Sequence, residues 1–300
     1  MSLLRALLVS LRPHQWTKNL FVLAPLAFSK HLFDADAALR AAAAFAVFCA
    51  LSGAAYLVND LADVEHDRLH PLKRTRPLAS GAISVAAART LAVLLLAASL
   101  AAAWALGPLF LLCAAGYLAL SLLYSFALKH VVILDVLTIA IGFDLRAIAG
   151  AVAIQVVFSD WLLVCTILLA LFLALAKRRH ELVMLPDAAG HRRALAEYSP
   201  YLLDQMIGVV TASCLTSYAF YTLAPETVEK YRTNHLALTI PFVIYGIFRY
   251  LYLVHGKEQG GSPSDLLLTD RPLLAAVAAW AVAVVLIVYT APGVPVPRGQ

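Results

Sequence analysis

Charged residues are scarce in this chain. Asp, Glu, Lys and Arg make up only 14% of its 300 residues, whereas hydrophobic residues make up 62%. An ordinary soluble domain has about 25% charged residues. So little charge cannot cover a water-exposed surface, and the mean hydropathy of +0.82 agrees with this. The composition therefore excludes a soluble protein and predicts an integral membrane protein.

Cysteines are few and isolated, and none has the spacing of a metal or redox site. They are Cys49, Cys113, Cys165 and Cys214. A cleavable signal peptide is not evident either, because no apolar core precedes Arg12-Pro13 and no small-residue cleavage site follows. We therefore expect structural cysteines and an N-terminal segment that is kept.

Charge-free stretches give the number of membrane spans, since a spanning helix needs about 20 mostly apolar residues. The stretch 90–128 is too long for one span, and Gly107-Pro108 divides it into two. Residues 19–33 form a first, weaker span, and 132–157 form a span that carries buried charge. The pattern predicts an all-α protein with nine transmembrane helices, centred near residues 25, 50, 95, 118, 145, 168, 212, 243 and 281.

Lys and Arg residues cluster at the N-terminus and in every second connection. The clusters lie at residues 5–18, 68–76, 129, 177–193 and 249–257. By the positive-inside rule these segments are cytoplasmic, so nine spans place the N-terminus in the cytoplasm and the C-terminus outside. The net charge of +5 is then a topology signal, and no nucleic-acid partner is expected.

Acidic residues end the second predicted span. On a helix, residues three, four and seven positions apart share a face, so Asp60, Asp63 and Asp67 project to one side, with Asn59 beside Asp63. Their like charges need a cation, and a set of hard oxygen ligands favours Mg²⁺. Metal-binding acids beside phosphate-binding cations indicate a diphosphate site. The cations that follow are Lys73, Arg74 and Arg76.

Two plainer interpretations stay open. The acids could be a solvated helix end, and the basic run could be ordinary positive-inside charge. Ionisable groups at membrane depth are costly, however, and are usually functional.

The segment NDLADVEHD, with a basic loop that ends in RPLASGAIS, resembles the first aspartate-rich motif of the UbiA-type intramembrane prenyltransferase superfamily. A second motif, DxxxD, usually follows the sixth helix of that family. Here the place reads LALAKRRHELVML, with Lys177, Arg178 and Arg179 instead of carboxylates. Together with this segment, RPHQWTKN, YSFALKHVVILDV, GFDLRAIAGA and DRPLL resemble the decaprenyl-phosphate phosphoribosyltransferase subfamily, over about residues 10–272.

The resemblance implies one transmembrane catalytic domain, residues 1–300, in a UbiA-like bundle. Its core helices would cover about residues 10–292, and residues 60–82 and 177–198 would be cytoplasmic functional loops. It also implies a multi-pass protein of the cell's inner (plasma) membrane, with the active site facing the cytoplasm. A homo-oligomer is compatible with the sequence, which does not fix the assembly.

The implied reaction is the Mg²⁺-dependent transfer of 5-phosphoribosyl from 5-phosphoribosyl 1-diphosphate to a polyprenyl (decaprenyl) phosphate, for cell-wall arabinan precursors. Asp60, Asp63 and Asp67 would be catalytic and would bind the metal with Asn59. The predicted substrate-binding residues are Gln15, Lys18, Asn19, Lys73, Arg74, Arg76, Tyr124, Lys129, Arg146, Lys177 and Arg178.

Arg146 lies on the fifth predicted helix, on one face with Asp135, Thr138 and Gly142. We expect this arginine to form an internal ion pair with an acid that the sequence does not identify, and structural pairing is favoured over substrate contact. Asp144 lies on the opposite side of that helix and is given no role. Tyr124 is either a pocket residue or part of the core.

Two rival functions also stay open. A prenyltransferase that moves a polyprenyl group to an aromatic or lipid acceptor shares the fold and the first motif, but the missing second acidic motif argues against it. A membrane transporter would have charges at the midplane and inverted repeats. The charges here cluster towards one face, and the sequence shows no such repeat.

Reporter fusions test the predicted topology. Fusions after residues 80 and 190 should report a cytoplasmic location, and a fusion at residue 298 an external one, because Lys and Arg alternate between connections. A cytoplasmic reporter at residue 298 would contradict the count of nine spans.

Overall fold

The computed structural model describes residues 3–69, 73–184, 193–257 and 260–290. Within these ranges it is all-helical, and eight helices are long and apolar enough to cross a membrane. We label them α1 (Ala35–Ala62), α2 (Val85–Leu106), α3 (Pro108–Phe126), α4 (Leu134–Ala153), α5 (Asp160–Met184), α6 (Pro200–Leu223), α7 (Ile240–Gly256) and α8 (Arg271–Thr290).

The first predicted span is not a long α-helix. It consists of a 3₁₀-helix, Pro13–Leu23, that continues as a short α-helix, Ala24–Phe28. Only residues 19–28 of these two helices fall within the predicted span, 19–33. With rises of about 2.0 Å and about 1.5 Å per residue they cover roughly 18 Å, less than the hydrocarbon thickness of about 30 Å. The other eight predicted spans coincide with α1 to α8. The count of nine therefore stays a prediction.

Short helices connect these segments. The α-helical ones are Leu3–Ser10, Val64–Leu69, Arg193–Ala196, Pro225–Tyr231 and Pro263–Thr269. The 3₁₀ turns are Lys73–Thr75, Leu128–His130 and His235–Thr239.

Capping side chains and one glycine set several helix ends. The side-chain oxygens of Asp34, Ser84 and Ser199 accept backbone hydrogen bonds in the first turns of α1, α2 and α6. Gly107, with φ 129°, separates α2 from α3, a backbone conformation that side chains disfavour. The break predicted at Gly107-Pro108 is confirmed.

The chain divides into two compact units. The first contains residues 1–128 and 145–157, and the second contains residues 129–144 and 158–300. The prediction of one catalytic domain is not tested by this division. Parts of the predicted functional loops, residues 70–72 and 185–192, and the end of the predicted core, 291–292, lie outside the described residues.

The core of the first unit forms around α1. Phe48 packs its ring edge-on against Phe110, with 6.0 Å between ring centroids, and at a tilt against Tyr117, with 5.2 Å between centroids. Residues three apart align on a 3₁₀-helix, so Asn19 and Val22 of Pro13–Leu23 share one buried face. This face packs against α1, where Asn19 Nδ2 lies 3.2 Å from Ser52 Oγ.

The core of the second unit is formed by α5, α6, α7 and residues around them. Phe172 of α5 packs edge-on against Tyr250 of α7, with 5.3 Å between centroids. Leu175, Leu203 and Leu253 are fully buried in the same cluster. The apolar stripes of these helices therefore meet each other, and their opposite faces are left for lipid.

Gly150 of α4 lies directly against the 3₁₀-helix. A Cβ atom at this position would overlap the carbonyl oxygen of Val22. Gly150 and Val22 both lie in the first unit, so a glycine here is required by close backbone approach.

Gly150→Ala tests this contact. Overpacking against a backbone atom should cost about 1–3 kcal/mol and lower the melting temperature of the detergent-solubilised protein. The matched control is Gly116→Ala in α3, where a Cβ meets no atom within 4 Å; it should leave the melting temperature unchanged or slightly raised. Equal effects of the two substitutions would contradict the proposed packing.

Candidate active site

The acidic segment continues helically past the end of α1. Asp63 caps α1, and its N–H donates to the carbonyl of Asn59 at 3.0 Å. The N–H of Asp67, in the helix Val64–Leu69, donates to the carbonyl of Asp63 at 2.8 Å. These two hydrogen bonds continue the helical backbone from α1 into the helix Val64–Leu69, so the helical spacing of the motif is kept past the end of α1.

Two of the three aspartates are buried and share an arginine. Arg76 Nη1 lies 3.0 Å from Asp60 Oδ1 and 2.6 Å from Asp67 Oδ2. Lys73 Nζ lies 3.9 Å from Asp67 Oδ1. Asp60 and Asp67 are 3% and 2% exposed, so their charges are compensated by cations rather than by water. The predicted shared face is confirmed for these two residues.

Asn59 lies beside Asp63, as the spacing predicts, while the place of Asp63 on the side shared by Asp60 and Asp67 stays a prediction. Asn59 Nδ2 donates to Asp63 Oδ2 at 3.3 Å. Glu65 is exposed and accepts a hydrogen bond from Arg68 at 2.8 Å, away from the buried aspartates. The segment therefore has a buried acidic side and a solvated side.

Arg12 is the residue that the sequence did not reveal. Its Nη2 donates to Asp60 Oδ1 at 2.6 Å, and its guanidinium carbon lies 4.7 Å from the centroid of the Tyr56 ring. The residue adopts the left-handed conformation, with φ 52° and ψ 61°, between the helix Leu3–Ser10 and the 3₁₀-helix. The sequence shows a cation directly before Pro13, but it does not show which acid that cation pairs with, because the partner, Asp60, is 48 positions away.

The oxygen ligands in this segment are of the type that hard divalent cations prefer. Asn59, Asp60, Asp63 and Asp67 offer carboxylate and amide oxygens, which suit Mg²⁺. Both arginines contact the same oxygen of Asp60, Oδ1, so neither occupies Oδ2. Within the described residues no three acidic, His or Cys side chains are grouped as a metal site. Metal binding by these four residues therefore stays a prediction.

Arg146 is buried in the first unit with neutral partners. Its Nε donates to Asn19 Oδ1 at 2.9 Å and its Nη2 to the Tyr117 hydroxyl at 2.8 Å, while the guanidinium lies 4.6 Å from the Tyr117 ring centroid. Asn19 Nδ2 in turn donates to Ser52 Oγ at 3.2 Å. The amide oxygen of Asn19 and the ring of Tyr117 stabilise the cation. The ion pair with an acid that the sequence predicts for Arg146 stays a prediction.

Other predicted substrate-binding residues have mixed exposure. Gln15 and Lys18 are partly buried on the 3₁₀-helix, three positions apart and therefore on one face. Asn19 is fully buried. Tyr124 and Lys129 are partly buried, and Arg74 is exposed. The substrate roles of these residues stay predictions.

The basic end of α5 contains a buried ion pair in the second unit. Arg178 Nε donates to Asp135 Oδ2 at 2.7 Å and its Nη1 to Glu181 Oε2 at 2.6 Å. The Tyr198 hydroxyl donates to Asp135 Oδ1 at 2.8 Å, and burial raises the pKa of Tyr198 above its usual range. Lys177 Nζ lies 3.8 Å from Glu181.

The Arg178 side chain is almost fully buried, and its guanidinium contacts two carboxylates. These contacts fix its position. Breaking such a pair leaves an uncompensated buried charge. A role in substrate binding stays a prediction for Arg178 and for Lys177.

Comparison with known proteins now has a geometric basis. The model described as the UbiA prenyltransferase family matches residues 20–265. The chain belongs to the UbiA prenyltransferase family. The superfamily assignment from the NDLADVEHD segment is therefore confirmed.

Curated UbiA relatives carry a more specific name. The decaprenyl-phosphate phosphoribosyltransferase of Corynebacterium glutamicum is 37% identical over 291 residues, covering 94% of this chain and 86% of that protein. The protein of the same name from Mycolicibacterium smegmatis is also 37% identical, covering 93% of this chain and 91% of its own length. The subfamily resemblance is thus matched across most of the sequence.

Solved structures show the UbiA fold. A UbiA homologue from Archaeoglobus fulgidus, bound to GPP and Mg²⁺, has a TM-score of 0.70 at 20% identity and covers 94% of this chain and 99% of its own. A digeranylgeranylglyceryl phosphate synthase structure has a TM-score of 0.68 at 18% identity and covers 97% of this chain and 100% of its own. At these identities the likeness establishes the architecture alone.

Thermal denaturation with Mg²⁺ and inorganic diphosphate tests the metal assignment. At a ligand concentration of about 100 times Kd, binding stabilises a protein by about 2.7 kcal/mol, so the melting temperature of the wild-type protein should rise. Asp60→Asn should remove most of the rise. Glu65→Gln, on the exposed side of the same segment, should keep it. A full rise in Asp60→Asn would exclude Asp60 from the site.

Proposed function

We propose that this protein transfers 5-phosphoribosyl from 5-phosphoribosyl 1-diphosphate to a polyprenyl phosphate such as decaprenyl phosphate, releasing diphosphate. The product would be a lipid precursor for cell-wall arabinan. The curated relatives named for this activity support the proposal, because the similarity extends over more than 90% of the chain.

The basic end of α5 is the observation that supports phosphoribosyl diphosphate, rather than a prenyl diphosphate, as the donor. Ionising a prenyl diphosphate in this family uses a second acidic motif, and here Glu181 is the acid among Lys177, Arg178 and Arg179. Glu181 is itself engaged by Arg178 at 2.6 Å. This favours an anionic second substrate over a second metal cluster.

The diphosphate of the donor would bind at the end of α1. Arg12, Arg76 and Lys73 balance Asp60 and Asp67 in the ligand-free arrangement. When the carboxylates turn to a metal, these cations become available for phosphate oxygens, with charge-assisted hydrogen bonds. Mg²⁺, when bound, would neutralise part of the diphosphate charge, held by Asn59, Asp60, Asp63 and Asp67.

The transfer itself needs little proton chemistry. An oxygen of the lipid phosphate attacks C1 of the ribose and forms the new C1–O bond. The C1–O bond to diphosphate breaks, and diphosphate leaves with the electron pair. Because the phosphate nucleophile is already an anion, no general base is required, and the protein contributes positioning and electrostatic stabilisation. Arg12 and Arg76 would hold the leaving group.

The 5-phosphate of the donor needs cations other than those around the diphosphate. Lys18, in the same unit as the diphosphate site, is the proposed contact, with Gln15 as a neutral donor near it. The substrate role predicted for Lys129 stays a prediction. Asn19, proposed with them from the sequence, accepts from Arg146 and donates to Ser52; it would act by orienting Arg146. The active site would face the cytoplasm from the inner membrane, where the donor is soluble.

An assay with radiolabelled phosphoribosyl diphosphate and a panel of polyprenyl phosphates tests the function. We expect a labelled lipid product that requires Mg²⁺ and is lost on chelation. Asp67→Asn should reduce turnover by about 100-fold or more, since it removes a buried charge that the site uses electrostatically, whereas Glu65→Gln should not. Transfer of a prenyl group from a prenyl diphosphate to 4-hydroxybenzoate, with no ribosyl product, would instead establish the rival enzyme.

A further inference from the structure

Arg12 has an unusual backbone conformation at the start of the 3₁₀-helix. Its φ of 52° and ψ of 61° lie in the left-handed region, which residues other than glycine rarely adopt. Its N–H donates to the carbonyl of Val9 at 3.0 Å, and its carbonyl accepts from the N–H of Gln15 at 2.8 Å. Such a conformation persists where the surrounding structure holds it. The contacts around Arg12 therefore stabilise this turn.

The chain that leads into Arg12 lies close against α1. A Cβ atom at Gly53 would lie 3.2 Å from Leu11 Cδ2 and 3.6 Å from Leu11 Cα, so the backbone of Leu11 approaches α1 at this point. Tyr56 and Asp60 follow Gly53 by three and seven positions, and residues with this spacing share one face of a helix. The face of α1 that receives Leu11 is therefore the face that carries both partners of Arg12.

These two partners on α1 hold the Arg12 guanidinium in different ways. Its Nη2 donates to Asp60 Oδ1 at 2.6 Å, and its Cζ lies over the Tyr56 ring, 4.7 Å from the ring centroid. Cation–π contacts extend to about 6 Å from the centroid, so this distance is well within their range. The Arg12 side chain is 22% exposed, and the Tyr56 ring is partly buried. The contact is therefore partly shielded from water.

The ring contact leaves the hydrogen-bonding groups of Arg12 available. The attraction comes from the ring quadrupole and does not need a particular N–H donor, whereas a guanidinium has five N–H donors for oxygen acceptors. Asp60 uses one of these donors and is also a proposed metal ligand. If Asp60 bound a metal, the ring is the partner that could stay unchanged. Tyr56 can therefore hold Arg12 while its N–H groups bind phosphate oxygens.

We propose that Tyr56 is a positioning residue, whose ring holds the Arg12 guanidinium at the end of α1, where Arg12 binds the diphosphate of the donor. This role rests on the proposed function, because it needs a diphosphate at the acidic segment. The ring carries the role, and the hydroxyl does not. The hydroxyl interacts electrostatically with Arg146, so an effect of the hydroxyl would point to a different partner.

Calorimetric titration of the full chain in detergent with inorganic diphosphate, in excess Mg²⁺, tests this role. Tyr56→Leu removes the ring and should weaken diphosphate binding about tenfold, within the range of a partly desolvated cation–π contact. Tyr56→Phe keeps the ring and removes the hydroxyl, so its affinity should stay within about twofold of wild type. Rescue by phenylalanine is a result that a contact through the hydroxyl would not give.

A double-mutant cycle shows whether Tyr56 acts through Arg12. Arg12→Gln removes the cation and should weaken diphosphate binding at least about tenfold, since it deletes a charge-assisted hydrogen bond. Adding Tyr56→Leu to Arg12→Gln should then change the affinity by less than about twofold, because the ring has lost the cation that it holds.

Tyr252→Leu is the matched control in the second unit. The Cζ of Arg249 lies 5.2 Å from the centroid of the Tyr252 ring, so this substitution removes a contact of the same kind from a residue outside the proposed diphosphate site. It should leave diphosphate binding unchanged. The melting temperature of each ligand-free variant is measured in parallel. Tyr56→Phe is nearly isosteric with the wild type, so the test stays decisive if Tyr56→Leu folds poorly.

The variants can overturn the positioning role in distinct ways. Binding about tenfold weaker in Tyr56→Phe would assign the effect to the hydroxyl. An equal loss from Tyr56→Leu in the wild-type and Arg12→Gln backgrounds would show that Tyr56 acts independently of Arg12. Wild-type affinity in Tyr56→Leu would show that the ring is not needed.

Failure of the proposed function would be seen separately. A wild-type protein that binds no diphosphate would overturn both the donor site and the role of Tyr56. Diphosphate binding without phosphoribosyl transfer would contradict the proposed function alone, and the same variants would still decide whether the Tyr56 ring holds Arg12.

Discussion

The structure depends on compensating charge at membrane depth. An ion taken out of water loses several kcal/mol of solvation, and partners must offset that loss. In the first unit Arg12 and Arg76 converge on Asp60 within 3.0 Å, and Arg146 donates hydrogen bonds to Asn19 and Tyr117. In the second unit Asp135 and Arg178 compensate each other. The loops and helix ends that carry these residues are held in place by the pairs.

The same compensation prepares the proposed site for ligand exchange. Arg76 bridges two buried carboxylates that would otherwise repel each other, and Arg12 reinforces one of them. Each contact joins a potential metal ligand to a potential phosphate ligand. If a metal bound the carboxylates and a diphosphate bound the arginines, each buried charge would exchange one partner of opposite charge for another. The same pairing of opposite charges that stabilises the ligand-free arrangement would allow the two ligands to take the place of the ion pairs.

Local sequence patterns predicted most of the helices, but they did not predict which side chains pair over long sequence separations. Eight spans follow from hydropathy, and the break at Gly107-Pro108 follows from backbone chemistry. The shared side of Asp60 and Asp67 follows from helical spacing. The partners of Arg12 and Arg146 could not be predicted, because they are 48 and 127 positions away. The 3₁₀ conformation of Pro13–Leu23 was also missed, since hydropathy measures apolarity and carries no information on helix type.

At the proposed site, charge balance would connect binding of the metal to binding of the diphosphate. Asp60, Asp63 and Asp67 carry three negative charges, and the neighbouring Arg12, Lys73 and Arg76 carry three positive ones. Adding a divalent cation alone would leave this partly buried cluster with two uncompensated positive charges, which its low-dielectric part disfavours. A diphosphate restores the balance. Binding of the cation and of the anion should therefore be mutually dependent, and by linkage each should raise the affinity for the other by the same factor.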